Sequence, residues 1–220
     1  MTRKPWFLVP LLVAAAAISG AGCSSKDSES SRIESYRRDR NVEGLAREAA
    51  GDKADTSQAA VQALGTLGPE AIPQLQELLK DECPAVRVAA ALAYGQAVQV
   101  RGQAVPPAEQ VRSLAAAVRM DPSPEVRAAA ATALGHARAL DEMQTLFKAL
   151  EDPDPMVRAR ASAAVARITG RRYETYVNGT PEQRSAAVAA IKQMWAADEK
   201  GTRNYYAKMY PPKGVSKAAP

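Results

Sequence analysis

Between residues 41 and 170, apolar side chains recur every three or four positions, the spacing of one face of an α-helix. Three such stripes alternate with alanine-rich segments of similar length, and strand-type runs of β-branched and aromatic residues are nearly absent. The stripes are Ile72, Leu75, Leu78 and Leu79; Val111, Leu114, Ala115 and Val118; and Leu140, Met143, Leu146, Phe147 and Leu150. The pattern predicts an all-α protein built from pairs of helices.

A short motif, Asp-x-x-Pro-x-Val-Arg, separates each stripe from the alanine-rich segment after it, at residues 81–87, 121–127 and 152–158. Proline suits the first position of a helix, where its missing N–H is harmless, and a serine or aspartate before it can act as N-cap. A weaker copy at 52–65 has Gln58 where the others have arginine. Repetition at this period predicts a solenoid.

These motifs resemble HEAT repeats, and more closely the short HEAT-like repeats of the phycobilisome-lyase type, over about residues 41–170. The resemblance implies a right-handed α-solenoid of about four HEAT-like helix pairs followed by a C-terminal capping helix. It also implies that aspartates and arginines of successive repeats pair along the stack as a structural ladder. The ladder residues are then Asp81, Arg87, Asp121, Arg127, Asp152 and Arg158.

The repeat spacing is irregular at one place. Arg87 and Arg127 are 40 residues apart, whereas Arg127 and Arg158 are 31 apart, and the surplus falls within residues 96–107. An insertion in a solenoid forms a surface loop, which is either tolerated or part of a binding face. In HEAT-type stacks the second helix of each pair lines the concave side, so the resemblance points to arginines there and in the nearby loop. The candidate partner-binding residues are Arg101, Arg160 and Arg167.

The segment 171–198 is predicted to cap the open end of the array. Thr180 and Gln183 have the spacing of a capping box, which begins a helix. The apolar face of this helix consists of Val188, Ile191, Met194 and Trp195. The tryptophan is placed to cover the exposed edge of the last repeat. Residues 199–220 are rich in basic side chains and end with several prolines, so we expect a disordered tail.

The first 22 residues have the pattern of an export signal. Arg3 and Lys4 precede an uncharged stretch that ends in small residues directly before Cys23. The segment resembles the lipobox of bacterial lipoproteins, although Gly20 stands where that family has an aliphatic residue.

The lipobox resemblance implies that residues 1–22 are a cleaved signal peptide and that Cys23 carries a diacylglyceryl group. Residues 23–40 are then the lipidated cysteine and a flexible tether, because the polar run after Cys23 resembles a linker. Two alternatives stay open at this point: an uncleaved membrane anchor, and a cleaved signal followed by an ordinary cysteine.

Catalytic and metal-binding side chains are scarce. His136 is the only histidine, and Cys83 is the only thiol left once Cys23 is acylated. A zinc site therefore lacks ligands, and no glycine-rich phosphate loop is present. The net charge of +5 is modest and includes the leader, whereas nucleic-acid binding needs a basic stripe. We expect no cofactor, no metal and no nucleic-acid partner.

The expected function is non-catalytic. The composition and the two resemblances favour a protein–protein interaction scaffold, held by its lipid anchor at a membrane of the bacterial cell envelope. It would lie on the extracytoplasmic, periplasmic side and bind an envelope protein or peptide that the sequence does not specify. The alternative is a lyase-like or cofactor-handling enzyme subunit or chaperone, which needs a pocket with convergent polar groups. The fold by itself does not imply lyase activity.

Overall fold

The computed structural model describes residues 24–51, 53–99, 108–175 and 177–209, and within these ranges it contains ten α-helices and no strand. The all-α prediction is confirmed. The helices are α1 Ser24–Arg38, α2 Val42–Ala49, α3 Ala54–Leu67, α4 Ile72–Leu78, α5 Pro84–Gln99, α6 Ala108–Met120, α7 Pro124–Ala137, α8 Met143–Ala149, α9 Pro155–Thr169 and α10 Pro181–Met209. Short 3-10 turns at Pro69–Ala71 and Leu140–Glu142 precede α4 and α8. No described helix is long and apolar enough to cross a membrane.

Eight of these helices form the four predicted pairs: α2 with α3, α4 with α5, α6 with α7, and α8 with α9. The second helices stack directly, α3 on α5, α5 on α7 and α7 on α9. We call the contact between consecutive pairs a junction, so the first junction joins α3 to α5 and the third joins α7 to α9. Each pair contacts its neighbours in the stack, which is the organisation of a solenoid.

The core lies between the first and second helices of the pairs. The first helices supply large side chains such as Leu75, Leu114 and Phe147, all fully buried. The second helices supply mainly alanines, and Tyr94 is their one fully buried aromatic among the described residues. Because alanine keeps the helix surface flat, the second helices approach one another closely.

One glycine on each of the second helices α3, α5 and α7 permits this close approach to the next second helix. The pairs in contact are Gly65 with Ala93, Gly95 with Ala133, and Gly135 with Ala164. A Cβ atom added to Gly135 would lie 2.7 Å from the Cα of Ala164, which is closer than real Cβ contacts. The recurring glycine is thus a packing requirement of the junctions.

The N-terminal part differs from the predicted tether over 23–40, because Ser24–Arg38 is helical and packs on α2 and α3. Ile33 is buried, and Arg32 donates two hydrogen bonds, of 2.7 and 3.0 Å, to the carboxylate of Glu48. One buried isoleucine among polar residues gives no visible apolar stripe, so composition alone pointed to a linker. Cys23 and the predicted signal peptide over 1–22 lie outside the described residues.

The predicted capping helix is present and begins at the capping box. The backbone N–H of Thr180 donates to Oε1 of Gln183 at 2.8 Å, and the N–H of Gln183 donates to Oγ1 of Thr180 at 3.3 Å. Of the predicted apolar face, Val188, Ile191 and Trp195 are buried. Met194 is 43% exposed and does not belong to that face, because it lies one position off the buried stripe.

The disordered tail predicted over 199–220 is wrong for residues 199–209, because α10 continues through Met209. The hydroxyl of Tyr206 donates to the carbonyl of Ile168 at 2.9 Å, and Arg203 forms an ion pair with Asp141 at 2.8 Å. These two contacts anchor the basic segment on α9 and on the turn before α8. The rest of the predicted tail, 210–220, lies outside the described residues.

Candidate functional site

Bidentate Arg–Asp bridges connect the repeats at the second and third junctions. Arg87 donates from Nε and Nη2 to the two carboxylate oxygens of Asp121, at 2.8 and 3.0 Å. Arg127 binds Asp152 in the same way, with both distances 2.9 Å. These side chains are largely buried, with Arg87 10% and Asp121 8% exposed. Arg87 with Asp121 and Arg127 with Asp152 therefore pair as the resemblance to HEAT-like repeats implied.

Each arginine also fixes the turn of its own repeat. Nη1 of Arg87 donates to the carbonyls of Asp81 and Glu82, at 2.8 and 3.0 Å, and Arg127 and Arg158 repeat this pattern. Hydrogen bonding to Asp121 raises the pKa of Arg87 above its ordinary value, so the guanidinium stays charged despite burial. One side chain thus joins two successive turns.

The ladder ends at Arg158 without a carboxylate. Its Nε donates to the backbone carbonyl of Val177 at 2.7 Å, the place that Asp121 and Asp152 fill at the preceding junctions. No further Asp-x-x-Pro motif follows α9, so a carbonyl takes the place of the missing aspartate. The pairing implied for Arg158 with a following repeat is therefore replaced by a backbone contact.

At the other end the ladder lacks an arginine. The backbone N–H of Ser57 bonds to the carbonyl of Lys53 as that of Arg87 bonds to Cys83, which makes Ser57 the equivalent position. The alignment of Gln58 with the arginines is therefore wrong by one residue. Ser57 is 2% exposed and its hydroxyl donates to the carbonyl of Ala49 at 2.5 Å.

Asp81 has consequently no arginine from the preceding repeat, in contrast to Asp121 and Asp152. Within the described part of the chain, its carboxylate accepts the N–H of Cys83 at 2.8 Å and forms no ion pair. The side chain is only partly buried. The first junction thus keeps the acceptor of the bridge and lacks the donor.

An open cleft of about 1110 Å³ lies at this junction, which we call the first-junction cleft. Its acidic side chains are Asp81, Glu82 and Glu125, and no lysine or arginine of the described ranges lines it. The remaining wall combines the 49–51 turn with residues of the second helices, among them Ser57, Gln62, Val88, Leu92 and Gln96. Leu92 is 49% exposed, so an apolar side chain is available at this surface.

The three predicted partner-binding arginines do not come together here. Arg160 and Arg167 are exposed on α9, and Arg101 lies outside the described residues. Arg167 lines a shallower cleft of about 520 Å³ together with Arg172 and Tyr173. Arg160 lines neither cleft.

His136 lies near the end of α7 and is half-buried. Burial lowers the pKa of His136, and the positive charge of Arg167 lowers it further. The described residues contain no group of three or more His, Cys, Asp or Glu side chains that could hold a metal ion.

Comparison with protein families matches the chain to HEAT repeats over residues 42–108 and 111–204. The chain belongs to the HEAT-repeat family. The HEAT match extends well beyond the predicted limit at 170 and includes most of α10. The capping helix thus lies within the region of HEAT similarity. A search of curated proteins finds no significant sequence match.

Ser57, Asp81 and Leu92 line one cleft, which was not predicted from the sequence. The available signal was the missing arginine in the weak first copy of the motif, which the one-residue misalignment with Gln58 obscured.

Proposed function

We propose that this HEAT-repeat protein is a non-catalytic scaffold that binds another protein on the face formed by its second helices. The observation that carries the proposal is the first-junction cleft, because it combines exposed Leu92 with amide and carboxylate side chains on one surface. Exposed apolar area bordered by polar groups is typical of protein-binding surfaces.

The rigidity of the stack supports binding with little ordering cost. Bidentate bridges at two junctions and the glycine–alanine contacts at all three hold the second helices in one arrangement. A preformed surface loses less conformational entropy on binding than a mobile one.

The side chains of the cleft support a role without catalysis. Cys83 is its one nucleophile of high intrinsic reactivity among the described residues, and His136 does not line the cleft. A nucleophile–base couple needs the two groups within hydrogen-bonding distance. Among the described residues that line the cleft there is therefore no cysteine–histidine couple that the enzyme-subunit alternative could use.

The proposal includes a lipid anchor at Cys23, after cleavage of residues 1–22, which would hold the scaffold on the periplasmic side of a bacterial envelope membrane. Its support is the sequence pattern: a basic start, an uncharged stretch and small residues before the cysteine. Two or three acyl chains suffice for stable attachment without a spanning helix.

Photo-crosslinking in native cells tests the scaffold function. A photoreactive residue at Leu92 should capture one recurrent partner, whereas the same residue at Met120 should not. Met120 is a suitable control because it is also apolar and exposed, at 79%, but lies at the end of α6, a first helix. Capture of the same proteins from both positions would contradict a specific binding face.

Membrane fractionation and mass spectrometry test the anchor. The wild-type chain should fractionate with membranes and carry a diacylglyceryl group on its N-terminal cysteine. Cys23→Ala should abolish both, and Cys83→Ala, the matched change at the other cysteine, should alter neither. An unmodified Cys23 in the native membrane fraction would contradict lipidation.

A further inference from the structure

The second and third junctions show which group the aspartate of the motif binds. Asp121 receives two hydrogen bonds from the guanidinium of Arg87 and also lies in the electrostatic field of Arg127 from its own repeat. Asp152 receives two hydrogen bonds from Arg127. The same carboxylate position therefore binds a guanidinium twice in this molecule.

At the first junction the acceptor is present and its arginine is not. Asp81 keeps the electrostatic contact with Arg87 of its own repeat, as Asp121 does with Arg127. The preceding repeat supplies only Ser57, whose short side chain bonds to Ala49 and leaves the carboxylate unbridged. Among the three described aspartates of the motif, Asp121 and Asp152 each receive a guanidinium from the preceding repeat and Asp81 does not.

The first-junction cleft includes the space in which such an arginine would lie. Its lining includes Ser57 and residues 49–51 from the first pair of helices, and Asp81 and Glu82 from the turn before α5. These correspond to the elements that Arg87 contacts at the next junction, namely its own turn and the following aspartate. The opening to solvent gives an external side chain access to this space.

We propose that the first-junction cleft binds the guanidinium of an arginine supplied by the partner protein, with the carboxylate of Asp81 as its acceptor. The partner arginine would replace the residue that Ser57 does not provide. This inference rests on the proposed scaffold function and names the chemistry of its partner: an arginine-containing peptide segment.

Charge and shape of the cleft favour this occupant. Glu82 and Glu125 also line the cleft and add negative charge to it, although the chain as a whole carries a net charge of +5. Val88 and Leu92 provide an apolar wall for the methylene stem of an arginine. A planar guanidinium can donate two parallel hydrogen bonds to one carboxylate, as at Asp121, whereas an ammonium acts as a point charge.

Cys83 offers a way to measure this preference, because its thiol lies in the wall of the cleft and is exposed. The full chain, extracted in detergent, is equilibrated with two disulfides, one carrying a guanidinoethyl group and the other an isosteric, uncharged ureidoethyl group. A thiol buffer makes the exchange reversible. Mass spectrometry of the peptide containing Cys83 then gives the ratio of the two adducts, independently of Cys23.

The guanidinium adduct should be favoured in the wild-type protein by about tenfold, the expected effect of a charge-assisted hydrogen bond. Asp81→Asn should reduce the ratio to near one, since asparagine still accepts the N–H of Cys83 and preserves the turn. Glu82→Gln, which removes the same charge from the adjacent residue, should leave most of the preference. An equal loss in both variants would show a diffuse charge effect and overturn the proposal, as would a wild-type ratio near one.

A second variant supplies the missing arginine from the chain itself. Ser57→Arg should complete the bridge to Asp81, abolish the guanidinium preference at Cys83 and raise the unfolding temperature by about 2–4 °C. An unchanged adduct ratio in a folded Ser57→Arg protein would also overturn the proposal.

Failure of this inference and failure of the scaffold function can be distinguished. Specific crosslinks from Leu92 that persist unchanged in the Asp81→Asn protein would refute the arginine site and keep the scaffold. A guanidinium preference at Cys83 without specific crosslinks would refute the scaffold and keep the cation-binding site.

Discussion

The first junction and the two later junctions are built from equivalent helices and equivalent turns, but they differ in the side chain at the bridging position, which is Ser57 at the first junction and an arginine at the others. At the later junctions an arginine spans the two repeats and binds an aspartate through two hydrogen bonds. At the first junction Ser57 bonds within its own repeat, and Asp81 borders an open cleft. The difference shows that helix stacking and turn bridging are separable, because α3 and α5 pack together without the bridge.

The junctions therefore differ in role along the array. The second and third junctions are closed by buried ion pairs and serve stability. The first junction keeps a carboxylate accessible and has an exposed leucine beside it, which is a surface suited to binding.

The largest expected effect is the removal of an existing bridge. Arg87→Ala should lower the free energy of unfolding by about 3–5 kcal/mol, because Asp121 would lose its partner while still buried. Ser57→Ala, the equivalent change at the first junction, should cost about 1 kcal/mol, the value of one hydrogen bond. Chemical denaturation of both variants tests this. Equal losses would mean that the two junctions are not stabilised differently.

Substitution of the aspartates that accept the bridges should show the same difference in stability between the junctions. Asp152→Asn removes the charge that Arg127 binds and should cost about 1.5–3 kcal/mol, the usual value of hydrogen bonds to a charged group. Asp81→Asn should change stability by less than about 0.5 kcal/mol, because no arginine of the preceding repeat depends on it. The two variants are compared by their denaturation midpoints. A large loss in Asp81→Asn would reveal an internal role for that carboxylate.

Helix spacing gives a smaller difference between the junctions. Gly135→Ala places a Cβ 2.7 Å from the backbone of Ala164, whereas the nearest contact for Gly65→Ala is 3.0 Å from Ala93. Overpacking lowers the free energy of unfolding by about 1–3 kcal/mol, whereas the better helix propensity of alanine raises it by about 1 kcal/mol. Gly135→Ala should therefore lose about 1 kcal/mol and Gly65→Ala about none. Thermal unfolding measures both, and the reverse order would contradict the closer helix approach at Gly135.

The smallest effect concerns pH and the third junction. Burial and Arg167 lower the pKa of His136 below its ordinary value, so the unfolded chain binds the proton more readily than the folded one. The stability due to neutral His136 should be complete above pH ~6.5 and be lost as the pH falls through the lowered folded-state pKa.

Replacement of His136 by glutamine provides the control, since Gln96 stands at the corresponding place on α5. The wild-type protein should lose more stability between pH 7.5 and 5 than His136→Gln does. NMR titration of the imidazole supplies the second measurement, and a pKa at or above 6.5 would contradict the burial argument.

Much of the fold follows from the sequence because its signals are local. The apolar stripes, the prolines at helix starts and the Thr180–Gln183 capping box each act within a few residues, and all are present in the structure. The Arg–Asp bridges followed from family resemblance, which encodes a contact between residues 25 to 34 positions apart.

What could not be predicted depends on single long-range contacts. The helix α1 is held by Ile33 and by the Arg32–Glu48 pair, and the end of α10 by the bond from Tyr206 to Ile168. Such contacts leave no periodic trace in a polar or basic segment. The first-junction cleft depends on an absent arginine. The sequence shows this absence in the weak first copy of the motif, but the hydrogen bonds of the helix start identify Ser57, and not Gln58, as the equivalent position.

The directional pairing of arginine with the aspartate of the following repeat has a consequence for the length of the array. A unit such as residues 127–157 contains one donor and one acceptor, so a tandem copy inserted at that point would bind both neighbours without any other change. The Arg–Asp bridges therefore do not restrict the number of repeats. The bridged series stops at Ser57, which offers no guanidinium, and at Arg158, which donates to the carbonyl of Val177.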